Sequence, residues 1–262
     1  MTAAAPLLLT TSDEVVEPDE SELVTEDDTP VDSILTEKQE RLLTEPLYSS
    51  WTGPAPAEDG AARPFAALAN VGLFSSVSEP PVVPDVMLSL DVTIPTDLSE
   101  KRNRSYFVWR YGKPPEVVIE LVSNREGGEL DARFRRYRQI GVAYYIVHDP
   151  RSALGGPRLR AFELRGGLYV VLDRPWFEVV GLVLVEWEGT FEGLQGRWLR
   201  WCTRDGDLVP TGAERAAREQ ERAEGAEARA EIEKTRAETA EARADRLAAR
   251  MRALGIDPNS EG

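Results

Sequence analysis

The run Val117-Val118-Ile119-Glu120-Leu121-Val122 sets one acid inside an otherwise apolar stretch, directly after Pro114-Pro115. A short apolar run rich in β-branched residues and bounded by proline reads as a buried strand. Such a strand delivers the carboxylate of Glu120 into the interior. Removing that charge from water is expensive, so buried carboxylates persist only when paired, hydrogen-bonded or bound to a cation. Two arrangements accommodate it here: a metal ion shared with a second acid, or a buried ion pair with an arginine.

The second acid is Asp85. It closes the proline-rich run Pro80-Pro81-Val82-Val83-Pro84, just where the strand-like stretch Val86 to Val92 begins. If the two strands are neighbours, a cation between Asp85 and Glu120 removes their mutual repulsion. Downstream, Glu129 to Ile140 has helical periodicity, with Leu130, Phe134, Tyr137 and Ile140 on one stripe and Gly141 as C-cap. Ala143 to Val147 follows as another strand. Strand, helix and strand at this spacing predict a βαβ unit with a parallel pair. Before Asp85, Thr36 is the expected cap of a helix stopped by Pro46. After the βαβ unit, strands are expected over 159–164, 169–172 and 179–187, with Trp176, Trp187, Trp198 and Trp201 packed on the sheet.

Charge is unevenly distributed. Residues 1–32 hold ten acids and no Lys or Arg, which is −10 of the net −15, whereas residues 101–165 hold fourteen Lys or Arg against seven Asp or Glu. The first segment lacks aromatic residues and cannot bury enough apolar surface to fold, so 1–32 is read as a disordered acidic tail and 255–262 as a disordered end. The core belongs to 33–210. A single cysteine, Cys202, excludes an internal disulfide and a Cys-rich zinc site and points to a reducing, cytoplasmic home. A single histidine, His148, excludes multi-His metal centres; at a strand end it is expected to be a hydrogen-bonded structural residue. No window approaches twenty consecutive apolar residues, and no membrane association is expected.

Three stretches together resemble a known family: Val83-Pro84-Asp85-Val86, the run from Pro114 to Leu130, and the block from Arg136 to Pro150. They are similar to the Uma-type restriction endonucleases of the PD-(D/E)XK nuclease superfamily, over roughly residues 31–210. The resemblance implies an α/β fold, with a restriction-endonuclease-like mixed central sheet flanked by helices. It also implies a DNA endonuclease using Mg²⁺ (or Mn²⁺). By the same resemblance, Asp85 and Glu120 are the metal ligands, with the Val122 backbone carbonyl as a third. The family's lysine stands four residues before a tyrosine on the following helix; here Arg133 occupies that place, four before Tyr137. An arginine remains protonated where a lysine can help deprotonate water. A catalytically silent relative that binds nucleic acid or a partner is therefore the competing reading. Glu116, Glu129 and Asp131 are candidates for supporting roles, against the plainer reading of surface charges at element starts. Glu40 on the early helix is a further candidate. Arg125, Arg135, Arg136 and Arg138 are candidate phosphate contacts, and DNA is the expected partner.

From 213 to 254 the chain contains no proline, and Ala223, Ala230, Ala237, Ala244 and Met251 recur every seven residues, as do Ala226, Glu233, Ala240, Leu247 and Leu254. A long helix after 210 follows from this seam, and either a dimerising coiled coil or a single charged helix satisfies it. If the acidic segment masks the basic face, deleting residues 1–32 tightens DNA binding in a salt titration. Unchanged affinity discards that idea.

Overall fold

The structure, a computed structural model, describes residues 33–57, 60–100, 103–122 and 128–254. The expected tails at 1–32 and 255–262 lie outside the described residues.

In chain order the elements are α1 (Ile34–Ser50), β1 (Phe65–Ala69), β2 (Leu73–Phe74), β3 (Val86–Leu90), β4 (Tyr106–Phe107) and α2 (Val108–Tyr111). Then come β5 (Val117–Leu121), α3 (Gly128–Ile140), β6 (Tyr144–His148), β7 (Leu159–Arg165) and β8 (Leu168–Leu172). The chain continues with β9 (Trp176–Phe177), β10 (Leu182–Phe191), β11 (Leu194–Cys202) and α4 (Gly212–Ala253). Six strands form one mixed sheet in the order β1-β3-β5-β6-β7-β8. Within it only β5 and β6 run parallel, joined by α3 as the βαβ spacing requires. The fold is therefore α/β with a restriction-endonuclease-like mixed sheet and a long C-terminal helix. Strands β9 to β11 make a separate three-stranded sheet, and β2 pairs with β4.

The pleat sorts the core strands into two faces. Val86, Leu88, Val117, Ile119, Tyr144 and Ile146 point one way, into a cluster shared with Leu43 and Leu47 of α1 and Leu184, Leu199 and Trp201 of the small sheet. Met87, Val118, Tyr145 and Val147 point the other way, against Tyr137 and Phe134 of α3. Position 120 falls on the α3 face.

Helix α1 departs from expectation at both ends. Ser33 is the N-cap, its hydroxyl accepting from the Thr36 amide at 3.1 Å, so Thr36 lies inside the first turn. Pro46 does not stop the helix. It removes one donor, yet the helix continues because Leu47 is fully buried and the Trp51 amide closes the end on the Pro46 carbonyl. The tryptophans Trp198 and Trp201 are buried as expected, on β11, a strand the apolar pattern did not single out because Arg197 and Arg200 interrupt it.

Among the described residues, no helix is long and apolar enough to cross a membrane. Trp201 ties the layer of the small sheet to the layer of α1: its Nε1 donates to the Leu43 carbonyl at 2.8 Å, while its ring meets Phe177 of its own sheet edge-on. Trp201→Ala is expected to cost about 3–5 kcal/mol of unfolding free energy, measured by urea denaturation. A loss below about 1 kcal/mol would place the joint between the layers elsewhere.

Candidate active site

Strands β3 and β5 are antiparallel, with Val86 opposite Ile119 and Leu88 opposite Val117. One further step along that register sets Asp85 across from Glu120, on the face covered by α3. The link is direct, since the Leu121 amide donates to Asp85 Oδ2 at 2.5 Å. Glu120 is 2% exposed. Arg133 and Tyr137, one helical turn apart on α3, both reach it. Tyr137 donates its hydroxyl to Glu120 Oε1 at 2.5 Å, and Arg133 Nη1 donates to Oε2. The buried ion pair that the sequence left open is thus formed, by the arginine in the position of the family's lysine.

Burial dominates the electrostatics. It pushes the Glu120 carboxyl up to about 8, and the neighbouring charge of Asp85 pushes the same way, against the smaller opposing effects of Arg133 and Tyr137. Burial, followed by the negative charge of Glu120, raises the Tyr137 phenol well above its ordinary value.

The other expected residues are dispersed. Glu40 is buried on α1, and both its carboxylate oxygens accept from the Asn70 side-chain amide, at 3.0 and 2.9 Å. The Asn70 backbone amide in turn donates to the Asp85 carbonyl at 3.1 Å, so Glu40 is linked to the site through one residue. Val122 directly follows β5, two residues after Glu120, its amide bonded to the His148 carbonyl at 2.8 Å. Glu116 is at the opposite end of β5, where it accepts from the Leu90 amide and from Lys113. Four steps along the extended chain set it about 13 Å from Glu120. Asp131 is exposed. Of the arginines, Arg135 is exposed and Arg138 half-buried, while Arg136 is engaged by Glu79 and by Ser75 Oγ at 3.0 Å. Arg125 and the side chain of Glu129 lie outside the described residues.

His148 corrects an expectation. It is 1% exposed, its ring nitrogens have no hydrogen-bond partner among the described residues, and Glu186 Oε1 lies 3.6 Å from Nε2. Burial is the largest influence on its pKa and lowers it, against the opposing pull of Glu186. Two participants were not assigned to the site from sequence: Tyr137 was read only as packing, although its spacing from Arg133 puts both on one helix face, and Asn70 carries no sequence signal.

Among the described residues there is no cluster of three or more His, Cys, Asp and Glu able to hold a metal ion. The donor set of Asp85 and Glu120 nevertheless suits a magnesium-like ion, which keeps several waters and takes only one or two carboxylates from protein. A carboxylate has about four lone-pair sites, so the bonds from Tyr137 and Arg133 do not exhaust Glu120.

The family model described as "Uma2: Putative restriction endonuclease" matches residues 28–188, more than half of the chain, and includes all four residues of the cluster. No curated protein matches the chain.

Glu120 fixes the sign of a pH effect. Its carboxyl titrates near 8 in the fold, against an ordinary value of 4.5, so the protonated form is favoured by folding. The stability it contributes is complete below about 4.5 and is lost as pH rises towards 8, a difference on the order of a few kcal/mol. Without added metal, the Tm difference between the protein and Glu120→Gln should shift in favour of the variant across that window. A pH-independent difference would show that Glu120 folds as a carboxylate.

Proposed function

The chain belongs to the Uma2 family of restriction-endonuclease-like proteins, and on that premise we propose that it is a metal-dependent DNA endonuclease hydrolysing phosphodiester bonds. The observation that carries the reading is the meeting of Asp85 with a buried Glu120 on one face of adjacent strands. Two acids held in that relation are a pair that a divalent cation can bridge, displacing the proton that burial favours on Glu120. Asp85, Glu120 and the Val122 carbonyl are the groups that would hold Mg²⁺ (or Mn²⁺). Such an ion, when bound, polarises the phosphate and lowers the pKa of an attacking water.

The remaining steps fall to the chain's own residues. Tyr137 orients the Glu120 carboxylate by donating to Oε1, while Arg133 donates to Oε2. The Leu121 amide holds Asp85 against the strand in the same way. Arg133 stays protonated throughout the accessible pH range, so it cannot accept a proton from water. Its guanidinium instead balances the acid pair and stabilises negative charge that develops on phosphate oxygens. Arg135 and Arg138, on the same helix, are the proposed contacts to backbone phosphates, which would position a duplex without reading its sequence.

The same Arg133 contact supports a second reading. An arginine bonded to Glu120 already neutralises one of the two acids, as a nucleic-acid- or partner-binding protein that has lost catalysis would require. Plasmid and single-stranded DNA incubated with Mg²⁺ or Mn²⁺ separate the two. Nicking should occur, and fall by on the order of 10²-fold or more in Asp85→Ala and Glu120→Ala, the scale of losing one preorganised charge-stabilising group. Arg133→Lys should retain it. Nicking that survives both acid substitutions would falsify the site, and its absence under every condition selects the silent reading.

A further inference from the structure

Helix α4 spans 42 residues, about 63 Å at 1.5 Å per residue, and none of its side chains is buried. Among the described residues, only its first turn is tied to the domain. Thr211 and Glu214 form a capping box, Glu214 Oε2 lies 2.6 Å from Nη2 of the buried Arg200, and the Gly212 amide donates to Glu45 at 3.0 Å. Beyond that turn the heptad seam has no partner among the described residues, although Leu247 is 62% and Leu254 72% exposed on it.

We propose that this seam is covered by the same seam of a second copy of the chain, in a parallel, in-register two-stranded coiled coil. The flanking charges decide both partner and direction. Counting the alanine series from Ala223 as position a, every g position is arginine: Arg215, Arg222, Arg229, Arg236, Arg243 and Arg250. The e positions read Gln220, Glu227, Lys234, Glu241 and Ala248. An antiparallel pair sets g against g, arginine against arginine along the whole rod. A parallel pair sets each g against the e position five residues further on in the other helix. Arg222 then meets Glu227, and Arg236 meets Glu241. Among these flanking pairs Arg229 with Lys234 is unfavourable, and at the seam Glu219 and Glu233 each face their own copy; Arg236 of the same helix contacts Glu233 at 2.8 Å and offsets part of that repulsion.

Alanine at most seam positions lets the helices approach but buries little apolar area. Association is therefore reversible and concentration-dependent, with Leu247, Met251 and Leu254 at the distal end supplying most of the burial. Because each α4 leaves its domain through the anchored first turn, the parallel arrangement sets both domains at the same end of the rod. One particle then carries two copies of the Asp85–Glu120 site. This inference is independent of whether that site is catalytic.

Cysteine crosslinking of the full chain tests it. Ala226→Cys and Leu247→Cys should each form disulfide-linked dimers on their own, whereas Ile232→Cys, off the seam, should not. The native Cys202 is 3% exposed and does not interfere. An antiparallel pair brings only one level of the helix against its own copy, so it cannot crosslink at both seam positions. In sedimentation, Arg222→Glu with Arg236→Glu should weaken the dimer by about tenfold, and adding Glu227→Arg with Glu241→Arg should restore it. Monomers at every concentration, crosslinking at no more than one seam position, equal crosslinking at Ile232→Cys, or charge reversal without effect each overturns the proposal.

Discussion

The carboxylate of Glu120, buried at the centre of the sheet, constrains everything around it. A group so placed requires donors, and Glu120 and its neighbour Asp85 find them in different elements. From α3, Arg133 and Tyr137 reach down onto the strand. From the strand edge, Asp85 is fastened by the Leu121 amide. These bonds fix the helix over the sheet and the register of β3 on β5. A one-residue slip of β5 would turn Glu120 to the opposite face, among Leu43, Leu47 and Trp201, where apolar side chains surround it. Register, helix position and site geometry are consequences of satisfying one group.

The opposite face is secured by a different device. Gln39 of α1 bonds both the carbonyl and the amide of Leu199, at 2.9 and 2.8 Å, as a neighbouring strand would. Trp201 reaches the Leu43 carbonyl from the same strand. Between these two residues lies Arg200, pointing the other way in the pleat, fully buried and paired with Glu214 at the start of α4. Alternate residues of β11 thus hold α1 on one side and the long helix on the other. The direction in which α4 leaves the domain is set by the core.

Legibility in the sequence followed the strength of local patterning. The strands β3, β5 and β6 are near-continuous apolar runs, and α3 has an unmistakable stripe, so the parallel pair and its crossover could be read directly. Asp85 and Glu120 could be read too, because an acid in or beside such a run has few bland explanations. Helix α1 was misread at its start since Thr36 and Ser33 are both competent caps, and only the backbone settles which one accepts the bond. The end was misread because burial of Leu47 outweighed the proline penalty. Glu116 and Glu120 look equivalent by composition, but four steps of extended chain part them, and Glu116 serves Leu90 and Lys113 instead. Glu40 depends on Asn70, held at φ 53°, to connect it to Asp85. No local pattern announces a bond that spans thirty residues.

The arginine on α3 changes how the acid pair is balanced rather than whether it is balanced. A lysine presents a compact charge that can lose its proton when buried; an arginine presents a fixed charge and a wide fork. In the absence of another cation, Arg133 therefore holds Glu120 permanently compensated, yet burial and Asp85 still raise the carboxyl to about 8. One guanidinium is too little charge for two carboxylates in a desolvated place. The residual repulsion is the quantity on which any divalent ion would act, while Arg133, already bonded to Glu120, competes with that ion for the same group. Affinity for a metal at such a site would accordingly depend on how far the guanidinium can withdraw towards solvent, and its side chain is 29% exposed where that of Glu120 is 3%.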